Sequence, residues 1–117
     1  YRLTEAGREA FERWLQTPVS HGRQMRIEFL AKLYFAERQG AAGTARLIDQ
    51  QAAACQIWLQ ELRRANVQPA AEHLQAPVPE GFFGYAVQQF RLNQVESFIT
   101  WLTACREAVV VADTVEE

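Results

Sequence analysis

The chain has 117 residues, of which 49% are apolar and 22% are charged, and its formal net charge is −2. This length suffices for one small domain with a hydrophobic core. The slightly acidic balance argues against strong nucleic-acid binding by this chain alone, because each phosphate contact needs a cationic side chain.

The first predicted elements belong to a structure that starts before Tyr1. Residues 1–3 have the pattern of a strand end, and Thr4 suits the N-cap of a helix over residues 5–16. Pro18 ends that helix, because proline disfavours helical angles in the residue before it. A strand needs a pairing partner, and the chain lacks an initiator methionine. We therefore expect the C-terminal part of a longer protein.

Two more helices are predicted over residues 24–39 and 45–66. The apolar stripe of the second predicted helix is wide, which indicates burial on two sides. Gly40 suits its C-cap and Thr44 the N-cap of the next helix. The third predicted helix carries a heptad seam. The seam consists of Ile48, Ala52, Cys55, Leu59 and Leu62.

The last predicted helix runs from residue 82 to residue 112, after a proline-rich loop over residues 68–80. It would be about 45 Å long, whereas a compact domain of this size has a radius of gyration near 13 Å. A second chain should therefore cover its far half. We expect an all-α fold with four helices, the last two long and paired across a two-fold dimer. The expected interface residues are Val87, Phe90, Phe98, Trp101, Leu102, Cys105 and Val109.

The opening stretch YRLTEAGREAFERWL resembles the end of the winged-helix domain in PadR-like transcriptional regulators. There, the second wing strand ends in a Tyr-x-Leu-Thr-x-x-Gly phrase and leads into a connecting helix. The matching positions are Tyr1, Leu3, Thr4, Gly7 and Trp14.

A second stretch, RIEFLAKLYFAE at residues 26–37, is similar to the start of the C-terminal domain in many such regulators, the virulence activator alpha type. The ITWL sequence at residues 99–102 also fits the last helix of that domain. The positions that carry the main match are Arg26, Glu28, Phe29, Leu30, Lys32, Leu33 and Phe35.

The resemblance implies two parts, the end of the wing and connecting helix over residues 1–18, and a helical dimerisation and effector domain over residues 19–117. It implies a regulator, usually a repressor, that binds operator DNA as a homodimer through winged-helix modules upstream of this chain. The C-terminal helices would set the spacing between those modules. No base-reading residue is assigned within this sequence.

Several aromatic residues of the last two helices form a candidate effector pocket. They either belong to the core and dimer interface or line a groove for a flat apolar molecule, since some PadR-like regulators respond to phenolic acids or planar drugs. An effector-sensing domain is thus the alternative function. The pocket candidates are Trp58, Phe82, Phe83, Phe90 and Trp101.

The sequence contains no pattern that indicates catalysis. It has no glycine-rich phosphate loop, no Ser-His-Asp set and no cysteine beside a base, so we expect neither an enzyme nor a cofactor or metal site. Cys55 and Cys105 are expected as buried free thiols, and His21 and His73 as solvated loop residues. Without a signal peptide or a long apolar run, the protein is expected to be cytoplasmic and not to enter a membrane.

Overall fold

A computed structural model describes residues 4–19, 22–65 and 77–111 of the chain. Within these residues there are four helical rods and no strand, which confirms the all-α class. The second rod is continuous but contains one π-helical turn. The elements are α1 (Glu5–Gln16), α2 (Gly22–Gln24), the π turn (Met25–Phe29), α3 (Leu30–Gln39), α4 (Ala41–Ala65) and α5 (Phe82–Ala108).

Helix α1 begins and ends where the sequence predicts. The Thr4 hydroxyl accepts a hydrogen bond from the Gly7 backbone N–H at 2.9 Å, which satisfies one of the free amides of the first turn. At the other end, the Thr17 N–H donates to the Trp14 carbonyl at 3.2 Å, and Pro18 follows. The strand end predicted at residues 1–3 lies outside the described residues.

The second rod differs from its prediction in two ways. It begins at Gly22, and its first half contains the π turn, which the apolar pattern did not indicate. Its stripe is buried on one side only: Met25 and Phe29 lie in the core, whereas Ile27 and Tyr34 are exposed. The prediction of two-sided burial is therefore wrong for the single chain.

Helix α4 starts four residues earlier than predicted, at Ala41. The predicted N-cap at Thr44 is wrong, because its hydroxyl donates to the Gly40 carbonyl at 2.9 Å from inside the helix. Gly40 has a φ of 116°, which other residues rarely adopt. This one residue redirects the chain, so the alanines after it can start a new helix at once.

Helices α4 and α5 pack antiparallel along their length. Arg106 at the end of α5 pairs with Asp49 near the start of α4, and Arg63 near the end of α4 pairs with Glu96, both at 3.0 Å. The predicted seam of α4 faces this contact, with its members buried or packed against the core. The core consists of Val19, Met25, Phe29, Ala36, Leu47, Ile48, Cys55, Leu59, Val95 and Leu102.

The molecule is elongated, with extents of 63 × 37 × 19 Å and a radius of gyration of 19.3 Å. Its α5, of 27 residues, spans about 40 Å and lies beside an α4 of similar length. Leu102 is consequently 0% exposed within the single chain. The expectation that a second chain must cover Leu102 is wrong, because it assumed a compact globule rather than two long paired helices.

Candidate functional site

The residues of the inward face of α5 recur every three or four positions, and this face packs against α4. Val95 and Leu102 are fully buried, and Gln88 donates from its side-chain amide to the Leu62 carbonyl. Leu92 and Ile99 pack against the same core. This face therefore supplies the contact that holds the two long helices together.

The outward face of α5 has the same spacing and lies on the opposite side of the helix. It includes Phe83, Phe90 and Trp101, which are 79%, 66% and 38% exposed. Steps of four and three residues are those of a coiled-coil seam, and large aromatic side chains exposed in a row are unusual on a monomer. The full set, called the outer seam here, is Phe83, Val87, Phe90, Gln94, Ser97 and Trp101.

The predicted interface residues are divided between these two faces. Phe90 and Trp101 are exposed, and Val87 is half-buried. Leu102 is enclosed in the core, as described above. The remaining three, Phe98, Cys105 and Val109, are partly buried against the core of their own chain.

The five predicted pocket residues do not converge on one place. Phe82 and Trp101 are nineteen positions apart on one continuous helix, which corresponds to about 28 Å, too far for a single small molecule. Trp58 packs against Phe98, with ring centroids 6.3 Å apart. Phe82, Phe83 and Phe90 lie toward the opposite end of α5 from Trp101, so the five residues do not form one pocket within a single chain, and a pocket shared by two chains stays a prediction.

A cleft of about 320 Å³ opens between α5 and the start of the second rod, beside the π turn. Trp101 forms one wall and is itself held edge-to-face against Phe29, at a centroid distance of 5.9 Å. Arg26 also lines the cleft and is, among the described residues, its one charged lining residue. The lining residues are Gly22, Met25, Arg26, Leu30, Gln94, Ser97, Phe98 and Trp101.

A second cleft, of about 340 Å³, adjoins the first on the other side of Gly22 and Gln94. Gly22 contacts Gln94 so closely that an added Cβ would lie 2.5 Å from its Oε1. Arg23 and Arg91 line this second cleft with Trp58 and Leu62. Neither arginine has a carboxylate within ion-pair distance in the part of the chain that the structure describes.

A buried glutamine holds the segment between α1 and α2. The Gln51 side chain on α4 accepts from the Val19 N–H at 2.8 Å and donates to the Val19 carbonyl at 3.0 Å. Both residues are buried, so this amide replaces the pairing that a neighbouring strand would give. The sequence did not single out Gln51, because a glutamine in a long helix resembles the solvated face.

A buried lysine holds the same segment from the other side. Lys32 on α3 is 1% exposed, and its Nζ donates to the Thr17 carbonyl and pairs with Glu28 Oε2 at 3.4 Å. It also lies 5.0 Å from the centre of the Trp14 ring, and Trp14 Nε1 donates to Glu28 at 3.1 Å. Charged residues four positions apart on a helix usually form an exposed ion pair, so the burial of Lys32 could not be read from the sequence.

The two thiols add no reactive group to these sites. Burial raises the pKa of Cys55, against a smaller lowering by the Gln51 hydrogen bond, and burial also raises the pKa of Cys105. Both therefore stay protonated near neutral pH. His21 and His73 lie outside the described residues.

Neither metal-binding nor membrane-spanning features occur in the described ranges 4–19, 22–65 and 77–111. No three His, Cys, Asp or Glu side chains in them are grouped so as to hold a metal ion. None of the helices in these ranges combines the length and apolarity that a bilayer crossing requires.

Comparison with known families agrees with the second sequence motif. The family model of the virulence activator alpha C-terminal domain matches residues 25–109, which include the π turn, α3, α4 and α5. Neither the curated proteins nor the solved structures gave a match. The matched family is a regulatory C-terminal domain of transcription regulators and not an enzyme family. The chain thus belongs to the virulence activator alpha C-terminal family.

Proposed function

We propose that this chain is the C-terminal dimerisation domain of a PadR-like DNA-binding transcriptional regulator. Two copies would pair through the outer seam of α5, and α1 would connect each copy to a winged-helix module. The pairing would set the distance between the two modules on operator DNA. The exposed outer seam is the observation that carries this proposal.

The outer seam supports pairing because a large part of its apolar area is exposed within the described chain. Phe83 and Phe90 are separated by about two helical turns and are mostly exposed. Burying one such aromatic side chain contributes roughly 1.5 to 3 kcal/mol. A second copy of the same seam offers matching residues at the same spacing, which a two-fold interface requires.

A neighbouring apolar face extends this surface. Leu30 on α3 lines the same cleft as Trp101, and Ile27 and Tyr34 lie on the exposed side of the same rod. The outer seam and this face therefore meet at the cleft. Together they favour an interface formed by α5 and the second rod, rather than by the far end of α5 alone.

The PadR-like part of the proposal is supported by the opening motif. Thr4 and Gly7 form the helix cap that the Leu-Thr-x-x-Gly phrase needs, and α1 leads from that phrase to the family domain. A connecting helix at this place is what the resemblance implies.

Sedimentation equilibrium over low to high micromolar concentrations tests the proposed dimer. We expect wild-type protein to fit a monomer–dimer equilibrium, and Phe90→Glu to weaken dimerisation by about thirtyfold or more, as for the loss of a central interface residue. Ile57→Glu on α4 is the matched control, because Ile57 is exposed to a similar extent as Phe90 but lies outside the outer seam. A wild-type chain that stays monomeric throughout would contradict the proposal.

A second function, effector sensing, is favoured by the cleft beside the π turn. Its walls are Met25, Phe98 and Trp101, and Arg26 adds a positive charge. A flat apolar molecule with an acidic group would fit this chemistry, because the ring can stack on Trp101 and the acid can pair with the guanidinium. Binding here would lie next to the proposed dimer surface and could change it.

A thermal-shift series with hydroxycinnamates and planar dyes tests effector sensing. We expect a ligand-dependent rise in melting temperature that Arg26→Gln reduces for acidic ligands and leaves for neutral dyes. Arg64→Gln, an exposed arginine at the end of α4, is the control. Absence of any shift with wild-type protein would leave dimerisation as the supported function.

A further inference from the structure

The segment Thr17–Val19 connects α1 to the rest of the molecule, and polar bonds hold it from two sides. On one side, Gln51 makes both hydrogen bonds that the Val19 backbone can form. On the other, Lys32 donates to the Thr17 carbonyl. A connection this short between two helices would otherwise be a natural place for a change of direction.

Side-chain packing alone defines the direction of α1 weakly. Leu15 is its one fully buried residue, and Phe11 and Trp14 make edge-to-face contacts with Phe35 at centroid distances of 5.3 and 6.3 Å. Aromatic contacts of this kind tolerate sliding. The bonds to backbone atoms do not, because a hydrogen bond weakens steeply once its geometry changes.

We propose that Lys32 and Gln51 are positioning residues that fix the angle between α1 and the α4–α5 pair. Both side chains lie in the interior, where burying an amide or an ammonium group is costly unless every partner is in place. Methionine or leucine would fill either position without that cost. What the polar groups add is one defined path for the chain from Trp14 to Val19.

The consequence for DNA recognition rests on the function proposed above. Helix α1 has 12 residues and is about 18 Å long, so a tilt of about 20° at its base moves its other end by roughly 6 Å. Successive base pairs are about 3.4 Å apart. If this segment lost its fixed angle, the distance between the two DNA-binding modules of a dimeric regulator would therefore vary by about two base pairs.

Pulsed EPR on this chain, without DNA, measures how well the angle of α1 is fixed at the joint, the segment Thr17–Val19 with Lys32 and Gln51. Spin labels at Glu9→Cys on α1 and Gln56→Cys on α4, both exposed positions, are introduced with Cys105→Ala. Cys55 is kept, because it is 0% exposed and accepts a hydrogen bond from Gln51. Dilution with unlabelled protein leaves only distances within one chain. We expect a narrow distribution with Lys32 and Gln51 present.

Gln51→Leu should broaden this distribution or move its mean by about 4 Å, because Glu9 lies about 12 Å from the base of α1 and a tilt of about 20° moves it by that distance. Gln51→Asn keeps the amide but shortens the side chain, so it should also broaden or shift the distance distribution. It replaces Gln51→Leu in this test if that variant fails to fold. Gln60→Leu, at an exposed position of α4, is the control for the substitution itself. Lys32→Met should broaden the distribution, while Lys32→Arg, which retains a donor, should restore part of it.

A folded Gln51→Asn or Lys32→Met variant with the wild-type distribution overturns the proposal. This result is separate from a failure of the proposed function, because the label distance within one chain depends on neither dimerisation nor DNA. In a regulator that carries this domain, Gln51→Asn should also reduce the preference for the natural half-site spacing. An unchanged spacing preference would refute that consequence of the joint.

Discussion

The two faces of α5 have the same residue spacing and opposite surroundings. The inward face, with Val95 and Leu102, is fully covered by the helices of its own chain, whereas Phe83 and Phe90 on the outer seam are mostly exposed. The difference shows that periodicity defines the direction in which a side chain points but not what covers it. A helix that is apolar on two sides therefore has two separate partners to be identified.

The contacts near the end of α5 show why its length alone did not identify α4 as the element that covers its inward face. Asp49 binds Arg106, so the start of α4 reaches the last turn of α5. An antiparallel hairpin of two long helices covers one face of each along most of its length. Only the opposite face is left for a second chain.

The largest effect on stability is expected when a buried side chain of the inward face is truncated. Leu102→Ala should lower the free energy of unfolding by about 2 to 5 kcal/mol, because it removes a fully buried side chain and leaves a cavity. Urea denaturation at low protein concentration measures this change. A loss below 1 kcal/mol, the range of a typical surface substitution, would mean that Leu102 is not enclosed within the chain.

Much of the fold could be predicted because it depends on local rules. The Thr4 cap, the Pro18 stop and the seam of Ile48, Cys55 and Leu59 each follow from side-chain chemistry within a few residues. The outer residues Phe90 and Trp101 were also identified, since their spacing can be read from the sequence. What they contact in a second chain stays a prediction.

The joint at Lys32 and Gln51 could not be predicted because its partners are distant in sequence. Gln51 binds Val19, 32 residues away, and glutamine and lysine are usually solvated in helices. The π turn is likewise invisible in the apolar pattern. Phe82 and Trp101 do not meet within one chain because they lie near opposite ends of one continuous helix, and their grouping at a dimer interface stays a prediction.

A smaller effect on the inward side should appear at alkaline pH. Burial raises the pKa of Cys55 in the folded protein, so the unfolded chain loses its thiol proton first, near pH 8.5. The contribution of the Cys55 thiol to the free energy of unfolding is therefore fully present below that pH, and it is lost as pH rises through the folded pKa. Denaturation between about pH 8 and 9.5 should show this decline.

Cys55→Ala should make the alkaline decline shallower without abolishing it, because burial also raises the pKa of Cys105. The slope is compared, not the absolute stability, which the smaller side chain also changes. An identical slope in wild type and Cys55→Ala would mean that the Cys55 thiol does not contribute.

A still smaller effect on stability is expected from the ion pair that lies between the two faces of α5. Arg63 and Glu96 form an ion pair of 3.0 Å, but their side chains are 60% and 47% exposed. Arg63→Gln should cost only about 0.2 to 1 kcal/mol, and less at high salt. Arg64→Gln, on the same exposed turn, is the control; equal losses in both variants would remove any specific role of the pair.

The smallest effect on the monomer is expected at the outer seam itself. Phe90→Ala removes a side chain that is mostly exposed in the single chain, and alanine favours the helix by a few tenths of a kcal/mol. At concentrations where the protein is monomeric, the melting temperature should therefore change little or rise slightly.

At concentrations where wild-type protein is dimeric, the same substitution should lower the melting temperature, because association stabilises the folded state by mass action and Phe90 contributes to it. The difference between wild type and Phe90→Ala should thus grow with concentration, while the Leu102→Ala difference persists at every concentration. If Phe90→Ala is equally destabilising in dilute and concentrated protein, the aromatic ring is covered within its own chain. The two faces of α5 would then not differ in the way that the exposure of their side chains indicates.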